Sequence, residues 1–233
     1  MATWPESVHI LVPSYRSANL LSKFLPDLLR FVPVSQVLVV DDASEDNTPD
    51  ICSGFGITCL KHEINRGKGA ALRTGFKYLL EKGTSWIITM DADGQHSPED
   101  LHCFLDTIKE TPDVGICIGS RTMKPGIMPF WRICSNRLTS WSLSLITGAR
   151  ILDSQCGYRI YSSALLRSIS IEYDRFEMET EVIIKSIRKG YRVSFTKVQT
   201  LYLNDLSHIS HLNDTLRWVK AVLITSFKSK SRK

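Results

Sequence analysis

Short apolar runs alternate with helical patterns through the first half of the chain. Residues 8–12, 36–40, 57–60, 86–90 and 114–118 are mostly apolar and rich in β-branched side chains. Such runs predict strands covered on both faces. Between them, Leu20, Leu21, Phe24, Leu25, Leu28 and Leu29 recur at helical spacing. Thr48-Pro49 and Ser97-Pro98-Glu99 predict helix starts, each a capping hydroxyl followed by proline at the first helical position. Strand–helix alternation of this kind predicts an α/β chain with a mostly parallel central sheet flanked by helices.

The second half is less regular. Helices are expected over 132–146, near 163–169 and over 177–188, then a strand at 192–198 and a last helix from about Leu212. There is no internal repeat and no low-complexity linker. A single domain over 1–233 is the expected organisation, with an amphipathic helix and basic tail from about 212.

In an open α/β sheet, ligands bind beyond the carboxyl ends of the strands. The residues at the ends of the apolar runs are Pro13-Ser14-Tyr15, Asp41-Asp42, Asp91-Ala92-Asp93 and Gly119-Ser120-Arg121. Most of these termini are polar or charged, which concentrates candidate chemistry at one edge.

Composition narrows the picture. The 233 residues suffice for one packed domain, and 43% hydrophobic with 23% charged is ordinary for a globular chain. A net charge of +5 is too small to argue for nucleic acid, and no basic stripe is interleaved with aromatics. The six cysteines are scattered and form no C-x-x-C pair, which fits a reduced cytosolic protein with buried thiols. The first residues carry no basic stretch ahead of an apolar one, so no secretory signal is expected. No run reaches the roughly 18 apolar residues of a spanning helix, although a chain of this kind can still lie on a membrane.

Asp91 and Asp93 carry the sharpest chemistry. Two carboxylates two residues apart suit a hard cation such as Mg²⁺ or Mn²⁺, with Gln95 and His96 on the same loop. Such a cation bridges the phosphates of a nucleotide diphosphate and neutralises the charge of the leaving group. The plainer alternative is an acidic turn ahead of the helix at Ser97. Asp42 could accept hydrogen bonds from a base or ribose, whereas Asp46-Asn47-Thr48 reads as a turn and cap. The run Asn65-Arg66-Gly67-Lys68-Gly69-Ala70-Ala71-Leu72 opens a helix on which a phosphate could sit. It lacks P-loop spacing, and no G-x-G-x-x-G opens the first helix, which counts against a dinucleotide oxidoreductase.

Together these stretches resemble the family-2 glycosyltransferases, and within them the dolichol-phosphate mannosyltransferase-like, polyprenyl-phosphate branch. The likeness runs through Val12-Pro13-Ser14-Tyr15, Val39-Val40-Asp41-Asp42, Asn65-Arg66-Gly67-Lys68-Gly69, Met90-Asp91-Ala92-Asp93-Gly94-Gln95-His96, Gly119-Ser120-Arg121, Asp153-Ser154-Gln155-Cys156-Gly157-Tyr158-Arg159 and Phe176-Glu177-Met178-Glu179-Thr180-Glu181. It covers nearly the whole chain in order. The resemblance implies a GT-A type nucleotide-diphospho-sugar transferase fold and an inverting hexosyl transfer. It also implies a donor site at Pro13, Tyr15, Val40, Asp42, Lys68 and Ala92. Asp91, Asp93 and Gln95 would hold Mg²⁺ or Mn²⁺, with Asp91, Asp93 and Arg121 catalytic. Arg121 and Arg132 match positions that meet an acceptor phosphate, a task suited to planar guanidinium donors. Arg132 reads equally well as a solvated helix residue. The chain departs from the branch at Ser17, where an acid is usual, and at Tyr202–His208, where basic residues are usual. Both UDP-glucose and GDP-mannose therefore stay open as donors.

A phosphate acceptor is already an anion and needs no strong base, whereas a hydroxyl acceptor needs one within reach. Asp153, Glu177, Glu179 and Glu181 are the candidates for that base. Asp153 could instead orient Arg159, and at least two of the glutamates read as an exposed first helical turn favoured by the helix dipole. The final amphipathic helix, with Trp218 and a Lys228–Lys233 tail, fits either a membrane surface or core packing. The helix over 132–146, with Trp131, Trp141, Leu143, Leu145 and Ile146, is a second candidate for lipid contact. The expected activity is hexosyl transfer to a polyprenyl phosphate by a cytoplasmic protein, one able to sit peripherally on the inner membrane face. The alternatives are transfer to a sugar hydroxyl and a non-catalytic nucleotide-binding relative.

Overall fold

The computed structural model describes residues 4–123 and 128–199 together with Val222 and Thr225. Its centre is a seven-stranded sheet in the order β3-β2-β1-β4-β6-β5-β7. The strands are β1 (Val8–Ser14), β2 (Val37–Asp41), β3 (Thr58–Lys61), β4 (Trp86–Thr89), β5 (Val114–Arg121), β6 (Arg159–Ser162) and β7 (Arg192–Val198). All run the same way except β6, which pairs antiparallel with both β4 and β5. The apolar runs are the strands, although β3 lies at the sheet edge and is half-buried to exposed, not covered on both faces as expected. Ile10, Leu11, Val12, Val39, Val40, Ile87 and Ile88 are fully buried, as expected for a sheet covered on both faces.

Helices α1 (Ala18–Leu28), α2 (Thr48–Gly54), α3 (Lys68–Glu81), α4 (Leu101–Glu110), α5 (Phe130–Thr147), α6 (Ser163–Ser168) and α7 (Glu177–Arg188) connect the strands. Leu21, Phe24, Leu25 and Leu28 form the buried stripe of α1. Ser97 caps as expected, accepting the Glu99 N–H at 3.3 Å, but the segment it caps is a short 3-10 turn that leads into α4. Thr48 is the first residue of α2 and not its cap, which is Asn47. The Thr48 hydroxyl and N–H both donate to Asp46 Oδ1, at 2.6 and 3.1 Å. Asp46 Oδ2 accepts the Ala18 N–H at 3.1 Å, so one carboxylate fastens the starts of two helices.

The expected final helix from Leu212 lies outside the described residues apart from Val222 and Thr225, which are helical and buried. All six cysteines are free thiols, and Cys52, Cys117 and Cys156 are buried. Among the described residues no helix is long and apolar enough to cross a membrane. The carboxyl ends of β1, β2, β4 and β5 open on one edge of the sheet, and the candidate chemistry gathers there.

Candidate active site

At the end of β1 and β2, Pro13 pairs in register with Val40 and Ser14 with Asp41. Val40 and Ala92 are buried, so they offer a ligand mainly backbone, whereas Tyr15 is exposed with the Arg16 guanidinium 5.1 Å from its ring centre. Asp41 accepts the Ser44 N–H at 3.0 Å and holds the turn. Asp42 is almost wholly buried. Its Oδ1 meets His62 Nδ1 at 2.7 Å and the Arg66 N–H at 2.9 Å, and its Oδ2 accepts the Gly67 N–H at 2.6 Å. His62 reaches on to Thr74 Oγ1 of α3 at 2.9 Å. The Asp42 side chain thus fixes the loop ahead of α3.

The start of α3 is not an open phosphate cradle. The Ala70 N–H donates to the Asp174 carbonyl at 2.9 Å, and a Cβ on Gly69 would lie 2.6 Å from the Arg175 carbonyl oxygen. Glycine stands there because another loop packs on the helix end, satisfying an amide that would otherwise face a ligand. The cation of that run points elsewhere. Lys68 Nζ lies 2.6 Å from Asp91 Oδ1 and 2.9 Å from Glu179 Oε1. Burial opposes the charge on Lys68, yet the two carboxylates outweigh it and raise its pKa. For Asp91 burial favours the neutral acid, and the Lys68 charge overrides it to hold the carboxyl below its ordinary value.

Asp93 has a different setting. Its Oδ1 accepts the Gln95 N–H at 2.9 Å, and no ion pair reaches it among the described residues. Burial and the neighbouring Asp91 charge push its pKa up to about 6. His96 lies flat on Tyr158, with ring centres 4.9 Å apart, and its Nδ1 accepts the Asp91 N–H at 3.0 Å. Burial lowers its pKa to about 4, so near neutrality the ring is uncharged with its proton on Nε2. Lys68 of α3, Asp91 beyond β4 and Glu179 of α7 thus meet at one centre, with His96 on the Asp91 N–H. Among the described residues no three His, Cys, Asp or Glu side chains converge as a metal cage. Two carboxylates and an amide nonetheless fit a hard cation whose remaining ligands come from diphosphate and water, the usual arrangement for Mg²⁺.

Arg121 closes β5 and faces Asp153. Its Nε donates to Asp153 Oδ2 at 2.8 Å and its Nη2 to Oδ1 at 3.0 Å. Asp153 is fully buried and also accepts from Asn136 Nδ2 of α5 at 2.7 Å and from the Gln155 N–H at 3.1 Å. Burial works against its charge, but Arg121 and Asn136 hold its pKa low. Asp153 therefore does not orient Arg159. Arg159, the largest fully buried side chain, pairs with Glu179 at 3.3 Å and donates to the carbonyls of Cys156, Ser154 and Glu179. Arg132 stands in the first turn of α5, with its guanidinium 5.2 Å from the Trp131 ring centre, and no ion pair ties it to the Arg121 cluster among the described residues.

The glutamates of α7 are not an exposed dipole-favoured turn: Glu177, Glu179 and Glu181 are all buried. Glu179 is neutralised by Lys68 and Arg159, and Glu181 by Lys185 at 2.7 Å and the N–H groups of Glu172 and Tyr173. Sequence reasoning did not single out Asn136, His62 or Gly157 for the site. A Cβ on Gly157 would sit 2.6 Å from Asp91 Oδ2 and 2.8 Å from Lys68 Nζ. The one available signal was that Gly157 ends the Asp153–Gly157 stretch beside a charged strand.

Known proteins resemble the chain in sequence and in fold. Residues 9–173 match the family described as Glycosyl transferase family 2. The undecaprenyl-phosphate mannosyltransferase of Micrococcus luteus is 34% identical over 195 residues, 78% of this chain and 79% of that protein. The polyprenol monophosphomannose synthase of Mycolicibacterium smegmatis is 27% identical over 196 residues, 79% of this chain and 73% of that one. In fold, the chain is similar to glucosyl-3-phosphoglycerate synthase from Mycobacterium tuberculosis, solved with Mn²⁺, uridine diphosphate and glucosyl-3-phosphoglycerate. The TM-score is 0.74 at 15% identity, covering 94% of this chain and 79% of that one. With most of its length matched in sequence and in fold, the chain belongs to glycosyl transferase family 2 and is a glycosyltransferase of GT-A fold.

Proposed function

We propose that the chain moves a hexose from a nucleoside diphosphate sugar to a polyprenyl phosphate, with inversion and with help from Mg²⁺ or Mn²⁺. One observation carries the choice of acceptor. Three of the four carboxylates considered as a base for a hydroxyl acceptor are occupied: Asp153 by Arg121 and Asn136, Glu179 by Lys68 and Arg159, Glu181 by Lys185. A depressed, fully buried carboxylate such as Asp153 is a poor proton acceptor. An anionic phosphate needs none. Relatives named for undecaprenyl phosphate and polyprenol monophosphate acceptors support the same choice.

In this reading Asp93, Asp91 and Gln95 hold the divalent cation, which when bound screens the charge that develops on the departing diphosphate. Pro13, Tyr15, Val40 and Ala92 line the nucleoside side of the cleft. Asp42 acts there indirectly, by holding the loop that carries Lys68. Lys68 offers a point charge to the diphosphate, and Arg121, aimed by Asp153, offers guanidinium donors to the acceptor phosphate. Arg132, in the first turn of α5, is read as a second acceptor contact. The outer face of α5 exposes Phe130, Trp131, Leu138, Trp141 and Leu145, and α5 contains Arg132 and Arg137 but no acid. An apolar stripe with tryptophans and arginines suits a lipid surface, where the acceptor resides.

The test is incubation of purified protein with UDP-glucose or GDP-mannose, Mn²⁺ and a short polyprenyl phosphate. Formation of a charged glycolipid with one donor is expected. Absence of any lipid product with every common donor overturns the reading, and transfer to a sugar hydroxyl would replace it.

A further inference from the structure

The two aspartates of the Asp91-x-Asp93 motif are unequal. Asp91 Oδ1 is held at 2.6 Å by Lys68, whereas Asp93 has no cationic partner among the described residues. Lys68 is itself shared with Glu179 Oε1 at 2.9 Å. Glu179 in turn meets Arg159, so its negative charge is divided between two cations. The backbone beneath Lys68 is fixed, because the preceding Gly67 N–H is bound to Asp42 at 2.6 Å and the next helix turn is capped by Asp174. Only the side chain remains free to move. Gly157 leaves the space in which the Lys68–Asp91 contact is made, since a Cβ there would collide with both partners.

Resting on the proposed metal-assisted transfer, we propose that Lys68 is an internal counter-ion that competes with the divalent cation for Asp91. Asp93 would be open to a divalent cation as it stands, whereas Asp91 would be open to one only once the Lys68 ammonium had left it. Lys68 then keeps Glu179 as its anchor and turns its charge toward the diphosphate. Cation binding and donor binding are coupled through one side chain: without nucleotide, Lys68 holds cation affinity down, and with nucleotide the displaced ammonium has a phosphate to meet. An ammonium suits this exchange better than a guanidinium, because it is a compact charge on a flexible stem with no fixed donor plane. Linkage requires the effect to be reciprocal, so a nucleotide diphosphate must raise cation affinity by the factor that the cation raises nucleotide affinity.

The experiment measures Mn²⁺ binding to the full chain without nucleotide, by the loss of the free-ion electron paramagnetic resonance signal. Wild type, Lys68→Met, Lys68→Arg and Asp93→Ala are compared, then each is repeated with UDP and GDP. Lys68→Met is expected to bind Mn²⁺ at least about tenfold more tightly than wild type, since a positive charge in contact with a ligand is removed. The same variant is expected to show a smaller rise in Mn²⁺ affinity with nucleotide than wild type, because direct ligation by the diphosphate remains while the part due to moving Lys68 is gone. Lys68→Arg, which keeps the charge but adds a fixed donor plane, is expected to bind Mn²⁺ no more tightly than wild type. A structural lesion does not tighten metal binding, so the direction separates competition from misfolding. Equal or weaker Mn²⁺ binding by Lys68→Met overturns the proposal. Wild type that takes up no Mn²⁺ even with nucleotide overturns the metal-assisted reading instead.

Discussion

Arg121 and Asp153 meet as a two-bond pair, Nε to Oδ2 at 2.8 Å and Nη2 to Oδ1 at 3.0 Å, with the Arg121 N–H on the same carboxylate at 3.3 Å. The strand-end arginine is therefore aimed by an acid from a distant loop. That acid is held by Asn136 of α5, so the helix that exposes the apolar stripe also sets the guanidinium. Two parallel bonds fix a plane as well as a position.

Asp153→Asn removes the carboxylate charge that meets the Arg121 guanidinium at 2.8 and 3.0 Å. Breaking one side of such a buried pair costs about 3 kcal/mol of stability. Transfer is expected to fall at least about tenfold, mainly through a higher KM for the polyprenyl phosphate. The pH dependence has a fixed sign. The folded pKa of Asp153 lies below its unfolded value, so its contribution is fully present above about pH 4 and is lost as pH falls through the folded value. Urea unfolding is expected to show a constant gap between wild type and variant from pH 7 to about 4, shrinking below that. A gap that grew on acidification would contradict the pairing.

Six of the seven strands were legible, four of them because a strand buried on both faces is written as an apolar, β-branched run. Strand β6 was not. It carries Arg159 and Ser162 at its two ends, and a buried arginine inside a strand reads as loop until its partner is known. That partner, Glu179, sits in a cluster of acids at the start of α7, which by local rules reads as a solvated turn. Lys68 and Arg159 are distant in sequence from α7, so neither local periodicity nor dipole arguments reveal that the acids are buried against them. Asp91, Asp93 and Arg121 were legible as chemistry, because each stands at the end of an apolar run. The pairing of Arg121 with Asp153 and of Lys68 with Asp91 depends on tertiary packing alone.

Asp93 is expected to be the residue on which cation use depends most. Its pKa is raised to about 6 by burial and by Asp91, the state of a carboxylate lacking a counter-ion. Asp93→Asn keeps size and the acceptor oxygen for the Gln95 N–H but removes the charge. Loss of charge stabilisation on the leaving diphosphate is worth several kcal/mol, so turnover should drop on the order of a hundredfold or more. Adding EDTA to wild type should give a comparable loss, restored by excess Mn²⁺. Unchanged turnover in either experiment contradicts the assignment.

Two glycines should separate fold from chemistry. Gly69→Ala places a Cβ 2.6 Å from the Arg175 carbonyl oxygen and 2.7 Å from the Asp174 carbonyl carbon, both backbone. Backbone must shift to relieve it, at about 1–3 kcal/mol, so a lowered melting temperature is expected. Gly157→Ala meets Asp91 Oδ2 and Lys68 Nζ, which are side-chain ends able to swing away. Its melting temperature is expected to change less, while transfer falls with the disturbed carboxylate. Differential scanning fluorimetry beside a transfer assay tests the contrast, and equal thermal losses with normal Gly157→Ala turnover would contradict it.

The outer face of α5 is the place to test membrane contact. Phe130, Leu138, Trp141 and Leu145 are 63–72% exposed and fall on one stripe of the helix, whereas Ile133, Asn136, Ser140 and Leu143 face inward. Burying each large side chain in the lipid boundary yields about 1.5–3 kcal/mol before the cost of immobilisation, enough in sum for reversible attachment. The double variant Leu138→Glu with Trp141→Glu changes only exposed positions, so its stability should stay within about 0.5 kcal/mol of wild type. Co-sedimentation with vesicles containing anionic lipid is expected to fall at least about tenfold. Transfer to long-chain polyprenyl phosphate embedded in those vesicles should fall with it, while transfer to a short, water-dispersed polyprenyl phosphate should not. Equal loss with both acceptors would instead place the defect in the active centre, through Asn136 and Asp153 on the inner side of the same helix.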